Sequence, residues 1–169
     1  MVTVLLLTCG LLAYGPQAEH GNLDRRELTA YRLTTSVFER FRDASQQIAI
    51  VIARDAAFRA APLFSQEIVQ GGDVIEVSAT LEGRLRDHPR LSQALSAAPI
   101  SAREYTKFAL TLVAARLALG FLESGVLKTV PAGAATENVA FVRGHRAEVD
   151  NLFSELGIEI WRPRRPFLC

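Results

Sequence analysis

A chain of 169 residues with 49% hydrophobic content is sufficient for one domain with a single sizeable core. Because 19 Lys and Arg oppose 18 Asp and Glu, no overall field draws the protein to nucleic acid, which is excluded as a predicted partner. The two cysteines, Cys9 and Cys169, form no CxxC or CxxCH motif, so the signatures of a zinc ribbon, a thioredoxin-type site and covalently attached haem are missing.

The first predicted element is the apolar run Val2–Tyr14. It is shorter than the ~20 residues of a membrane-spanning helix and fits the hydrophobic part of a secretory signal better. Leu6-Leu7-Thr8-Cys9 resembles the lipobox of bacterial lipoproteins, so Cys9 is a candidate for lipidation. The alternative is an ordinary apolar N-terminal helix. Residues 1–26 are therefore predicted to be an apolar leader or membrane anchor plus a linker, on a protein located in the periplasm and associated with the membrane.

Residues 27–157 carry the signals of a helical domain. Glu27–Thr34 alternates weakly and is predicted to be an extended arm. A capping box at Ser36 predicts a helix to about Asp55. The apolar residues of that helix follow a 4-3-4-3 spacing, which predicts that one face is buried: Val37, Phe41, Ala44, Ile48 and Val51.

Three shorter helical segments are predicted to follow. Residues 56–70 contain Pro62 and should form one or two short pieces. Asp73 is suited to cap a helix that runs to about Arg86. Pro89 fits the first turn of a further helix over residues 90–98.

The longest predicted helix lies between Ser101 and Gly125, with a capping box at Ser101 and Glu104 and a glycine stop. Residues 108–122 are apolar or small on every face except for Thr111 and Arg116, so the helix must be buried on every face. Fifteen such residues span only ~22 Å, less than the ~30 Å of a bilayer core. We therefore expect the central helix of a bundle rather than a membrane span.

A last helix is predicted from Thr136 to Leu156, with Gly157 as its stop. Its apolar stripe contains Val139, Val142, Val149, Leu152 and Leu156. The predicted fold class is therefore all-α, a compact bundle of about five to six helices around a central apolar helix. An N-terminal apolar segment and an extended C-terminal tail complete the chain.

Two polar residues on the apolar faces are weak candidates for cofactor binding. Arg116 must meet a carboxylate or carbonyl groups or extend to the edge of the bundle; the ordinary interpretation is a structural ion pair, and the alternative is an anion or cofactor contact. His145 lies on the stripe of the last helix, where a satisfied imidazole is the ordinary interpretation and a haem or chlorin ligand the alternative. Catalytic and metal motifs, including the Glu-x-x-His pairs of di-iron bundles, do not occur, so no catalytic residue, metal or cofactor is predicted.

The C-terminal tail, residues 158–169, breaks the helical pattern because Pro163 and Pro166 interrupt it. Its arginines and aromatic residues favour docking to an acidic partner or an anionic membrane, and the alternative is a disordered end. The predicted docking residues are Trp161, Arg162, Arg164, Arg165 and Phe167.

Two segments, ISAREYTKFALTLVAARLALGFLESG and ENVAFVRGHRAEVDNLF, are similar to a group of small exported bacterial proteins of unknown function. The resemblance implies a secreted all-α domain and brings no activity. The expected function is a non-catalytic periplasmic accessory subunit of an inner-membrane complex, with photosynthetic or respiratory complexes as the expected hosts and other subunits and the membrane surface as partners. The alternatives are a free periplasmic module that binds a ligand beside Arg116 and His145 and, third, an enzyme.

Overall fold

The computed structural model describes residues 23–60, 63 and 73–158. Over these ranges the chain is all-helical without a strand, which confirms the predicted fold class. The leader with Cys9, residues 61–62 and 64–70 of the 56–70 segment, and the tail from residue 159 lie outside the described residues. Eight helices lie within the described ranges: α1 (Arg25–Ala30), α2 (Thr35–Arg54), α3 (Ala56–Ala60), α4 (Val74–Asp87), α5 (Pro89–Ala97), α6 (Ala102–Glu123), α7 (Thr136–Gly144) and α8 (Arg146–Glu155).

The central position of α6 is confirmed, because this helix packs against α1, α2, α4, α5 and α7. Its cap is as predicted: the Ser101 hydroxyl accepts from the Glu104 amide at 3.1 Å, and Gly125 takes a φ of +75° just past the end. Helix α6 has 22 residues and is long enough to cross a bilayer, so the prediction that it is too short was wrong. Most of the helix is nevertheless buried inside the domain, since 67% of its apolar stretch is buried in the protein itself.

The buried face of α2 follows the predicted spacing with a small rotation. Phe38, Phe41, Ala44, Ser45 and Ile48 are buried, whereas Val37 and Val51 are only partly covered. The N-cap of this helix is Thr34, whose hydroxyl accepts from the Val37 amide, and not the predicted cap Ser36. Across the interface with α6, the Ser45 and Tyr105 hydroxyls lie 2.9 Å apart. Burial raises the pKa of the Tyr105 hydroxyl, so this bridge stays neutral at physiological pH.

The predicted extended arm at 27–34 was wrong in its first half, because residues 27–30 belong to helix α1. Asp24 caps this helix by accepting from the Glu27 amide at 2.6 Å. The helix begins at Arg25, inside the segment 1–26 that was predicted to be linker. Residues 31–34 lie outside the helices, and the backbone is extended at Tyr31 and Thr34.

The predicted helix over 136–156 is two helices. His145 leaves helical geometry, with φ −110° and ψ 22°, and separates α7 from α8. Thr136 is not its cap either: the N-cap position is Ala135, which forms no side-chain cap. The predicted apolar stripe is nevertheless buried, because main-chain hydrogen bonds from His145 to Phe141 and from Val149 to His145 hold the two helices nearly in register.

Candidate functional site

The side chain of Asn138 holds the chain that enters α2 against the start of α7. Its Oδ1 accepts from the Leu33 amide at 2.9 Å, and its Nδ2 donates to the Tyr31 carbonyl at 2.9 Å. Asn138 is 3% exposed; its bond to the Leu33 amide is buried and its bond to the Tyr31 carbonyl is partly buried. One side chain therefore satisfies two groups of the extended segment that lies between α1 and α2.

A network of charged and aromatic side chains fastens α1 to the start of α6. Glu27 contacts Arg103 at 2.7 Å and Lys107 at 3.2 Å, while the Tyr31 hydroxyl donates to Glu104 at 2.5 Å. Burial and the hydrogen bond to Glu104 raise the pKa of Tyr31 well above its usual range. The tyrosine therefore remains a neutral donor, and the network serves to hold α1 against α6.

Arg116, the charge within the apolar helix, is 8% exposed and forms an ion pair with Asp150 of α8. Its Nε donates to Asp150 Oδ1 at 2.8 Å. Arg146 lies 3.8 Å from the other oxygen of the same carboxylate and 2.7 Å from Glu123. Asp150 is therefore the carboxylate that a structural ion pair of Arg116 requires. A role of Arg116 in cofactor binding stays a prediction.

Substitution Asp150→Asn is expected to destabilise the protein by about 1–2 kcal/mol, because Arg116 would keep its buried charge without the opposing carboxylate. We expect a smaller loss of stability than for a fully buried ion pair, because the Asp150 side chain is 42% exposed. Urea unfolding followed by circular dichroism measures the change. Asp43→Asn is the matched control, since Asp43 is 62% exposed and pairs with its neighbour Arg42 at 3.6 Å; an equal loss in both variants would contradict the role of the buried guanidinium.

His145 lies at the junction of α7 and α8 rather than on the stripe of one continuous helix. Its Nδ1 is 3.0 Å from the Phe141 carbonyl, and its ring stacks on Phe141 with centroids 4.2 Å apart. The Phe38 ring meets it edge-on at 5.6 Å. These contacts are those of a satisfied imidazole at the rim of the core, and its role as a haem or chlorin ligand stays a prediction.

A cleft of about 420 Å³ lies between α1, the start of α4, α6 and the loop before α7. Thr111 and Asn138 contribute to its wall, and Arg25 lies at one side. Neither Arg116 nor His145 is among its lining residues, so the two candidates for ligand binding are not brought together there. Sequence reasoning noted Thr111 as an exception in the apolar helix, but only the folded chain places α1 and the 131–135 loop opposite it.

The predicted docking residues and the lipidation candidate are not placed by the structure. Trp161, Arg162, Arg164, Arg165 and Phe167, and likewise Cys9, lie outside the described residues. What is described is the point where the tail begins. Gly157 takes a φ of +68°, and the Ile158 amide donates to the Phe153 carbonyl at 2.8 Å, which closes α8 with a Schellman motif.

None of the protein-family models, curated proteins or solved structures compared with the chain matches it. Over the described residues, the structure alone defines the class of the protein: an all-α unit around one largely buried apolar helix. The similarity to small exported bacterial proteins stays a prediction.

Proposed function

We propose that the protein is a non-catalytic accessory subunit of the bacterial periplasm that docks to an inner-membrane complex through its C-terminal tail. The proposal rests chiefly on how the helical domain ends. Ile158 is 8% exposed and its amide completes the Schellman motif, so helix α8 and its cap are complete before the tail begins. We infer that the arginines and aromatic residues of 159–169 serve a partner rather than the fold.

The sequence of the two ends agrees with this role. The apolar run Val2–Tyr14 suits export or attachment at the membrane, and the tail concentrates arginine and aromatic side chains that favour flat, anionic surfaces. The domain between them would then act as a rigid body that occupies and stabilises a place in the assembly. Photosynthetic and respiratory complexes are the hosts that we propose to examine first.

Deletion of residues 161–169 is expected to release the protein from native membranes without a change in thermal stability, because the deleted segment begins beyond the last cap. Membrane fractionation with immunodetection measures the release, and circular dichroism of the purified variant measures the melting temperature. A variant with Arg162, Arg164 and Arg165 replaced by Gln keeps the length of the tail and should behave like the deletion. A truncated protein that stays bound, or that melts far lower, would contradict docking by the tail.

The second function that we considered is a free periplasmic module that binds a ligand through Arg116 and His145. It ranks lower because the guanidinium of Arg116 is engaged by Asp150 and the imidazole of His145 is held by Phe141. The test is His145→Ala: this function predicts that a co-purifying ligand is lost while the protein still folds.

A further inference from the structure

The cleft between α1, α4, α6 and the 131–135 loop carries aliphatic side chains that lie outside the main core. Its volume is about 420 Å³. Leu28, Val74 and Leu110 line it, together with small residues such as Ala114 of α6 and Ala132 of the loop. Within the described part of the chain, none of the three larger residues belongs to the continuous core or packs against it. The main core therefore does not cover this apolar surface.

The described chain begins beside this cleft. Leu23 and Leu28 occupy the two positions around the Asp24 cap at which apolar residues commonly pack against each other as a hydrophobic staple. Leu28 lines the cleft, and so does Arg25 at the start of α1. Leu23 is 1% exposed, although it too lies outside the continuous core of the described residues. The part of the chain that precedes Leu23 therefore departs from the rim of the cleft.

The apolar run Val2–Tyr14 lies within reach of the cleft and matches its chemistry. Residues 15–22 connect the run to Leu23, and eight residues span at most ~29 Å when extended, so this linker allows the run to enter the cleft. The run contains five leucines and no charged residue. Among the described lining residues of the cleft, the one charged side chain is Arg25, which is exposed and pairs with Asp73 at 3.5 Å. An uncharged, leucine-rich segment can therefore cover the apolar walls without burying an unpaired charge.

We propose that this cleft is a docking site for the apolar run Val2–Tyr14 of the same chain. The volume lies in the lower part of the ~300–1,000 Å³ range of small-molecule pockets, so the cleft holds a few leucine side chains rather than the whole run. Docking removes apolar surface of both the run and the cleft from water, and it shields the run on an isolated molecule. The site does not involve the C-terminal tail, so this proposal stands or falls separately from docking by the tail.

Cys9 lies within the run and allows a direct test by disulfide formation in the full chain with Cys169→Ser. Ala114→Cys places a second thiol at an exposed position of the cleft wall, and Ala140→Cys places one at an exposed position of α7 that is not among the lining residues. Under mild oxidation, the bond from Cys9 to position 114 should form in several-fold higher yield than the bond to position 140, because a disulfide requires Cα atoms within about 7 Å. Peptide mass mapping without reduction measures both yields.

The rate at which a water-soluble maleimide alkylates Cys9 supplies a second measurement, which does not depend on disulfide geometry. In the same Cys169→Ser background, Ala114→Phe fills the cleft from an exposed position and should raise this rate several-fold, whereas Ala140→Phe should leave it unchanged. Circular dichroism checks that both variants fold. The proposal is overturned if the two disulfide yields are equal, if Ala114→Phe does not change the alkylation rate, or if the protein purified from its native source begins beyond Tyr14.

Discussion

Ile48→Ala in α2 is expected to lower the free energy of unfolding by about 2–5 kcal/mol, whereas Ile50→Ala, two residues further along, should cost less than about 1 kcal/mol. The two positions carry the same side chain on the same helix and differ in burial. Ile48 is 0% exposed and belongs to the core, and Ile50 is 45% exposed. The first substitution opens a cavity that the surrounding helices cannot fully close, and the second removes a side chain that already meets water.

Urea or guanidinium unfolding, followed by circular dichroism, measures both variants against the parent protein. Because the same atoms are removed from the same helix, the difference in helix propensity between Ile and Ala cancels in the comparison. Equal losses for the two variants would mean that the inward face of α2 is not the one that contains Phe38, Phe41 and Ile48.

The main elements of the fold could be predicted because their signals are local. Ser101 and Gly125 bound α6 through contacts made within a few residues, and the periodic apolar positions of α2 and of the last two helices identify their inward faces. The buried stripe Val139, Val142 and Val149 was predicted although its helix is divided, because main-chain hydrogen bonds continue across His145 and both parts bury the same apolar positions. Local caps and periodic burial suffice for this part of the structure.

The errors arose where two local signals competed or where the signal was too short. Asp24 is a good cap, but the six-residue helix that follows has too few apolar positions to show a period, so an extended arm was predicted instead. The break at His145 is stabilised by the bond of its ring to the Phe141 carbonyl and by stacking on that phenylalanine. A continuous helix and a helix with one such break have the same apolar pattern, so the sequence does not distinguish them.

The polar features of the domain were the least predictable, because their partners are remote in the chain. The sequence predicts that Arg116 needs a partner, because a charge in an apolar helix must be balanced. It does not predict that the partner is Asp150, which is one of many carboxylates in the chain. The cleft beside Thr111 depends on a loop and a short helix that meet α6 only in the folded protein. A single sequence identifies the exceptional residue and does not identify its surroundings.

Asn138→Ala is expected to destabilise the protein by about 2–4 kcal/mol, a large effect for one amide side chain. The substitution removes the acceptor for the Leu33 amide and the donor for the Tyr31 carbonyl at once, and these partners lie more than 100 residues away in the sequence. Leu33 is 8% exposed, so its amide would be left without a partner in a place that water reaches poorly. Urea unfolding measures the loss, and the partly exposed carbonyl of Tyr31 should contribute the smaller share.

Two further variants separate the loss of these bonds from other effects of the substitution. Asn151→Ala removes the same side chain from an exposed position on α8 and should change stability by less than about 0.5 kcal/mol. Asn138→Asp keeps the acceptor for Leu33 but places a carboxylate oxygen against the Tyr31 carbonyl, so it should be at least as destabilising as alanine at neutral pH and less so in acid, where the protonated carboxyl can donate. If Asn138→Ala were as mild as Asn151→Ala, the entry into α2 would have to be held by the Glu27 and Tyr31 contacts of α1 alone, and the two bonds of Asn138 would add nothing to them.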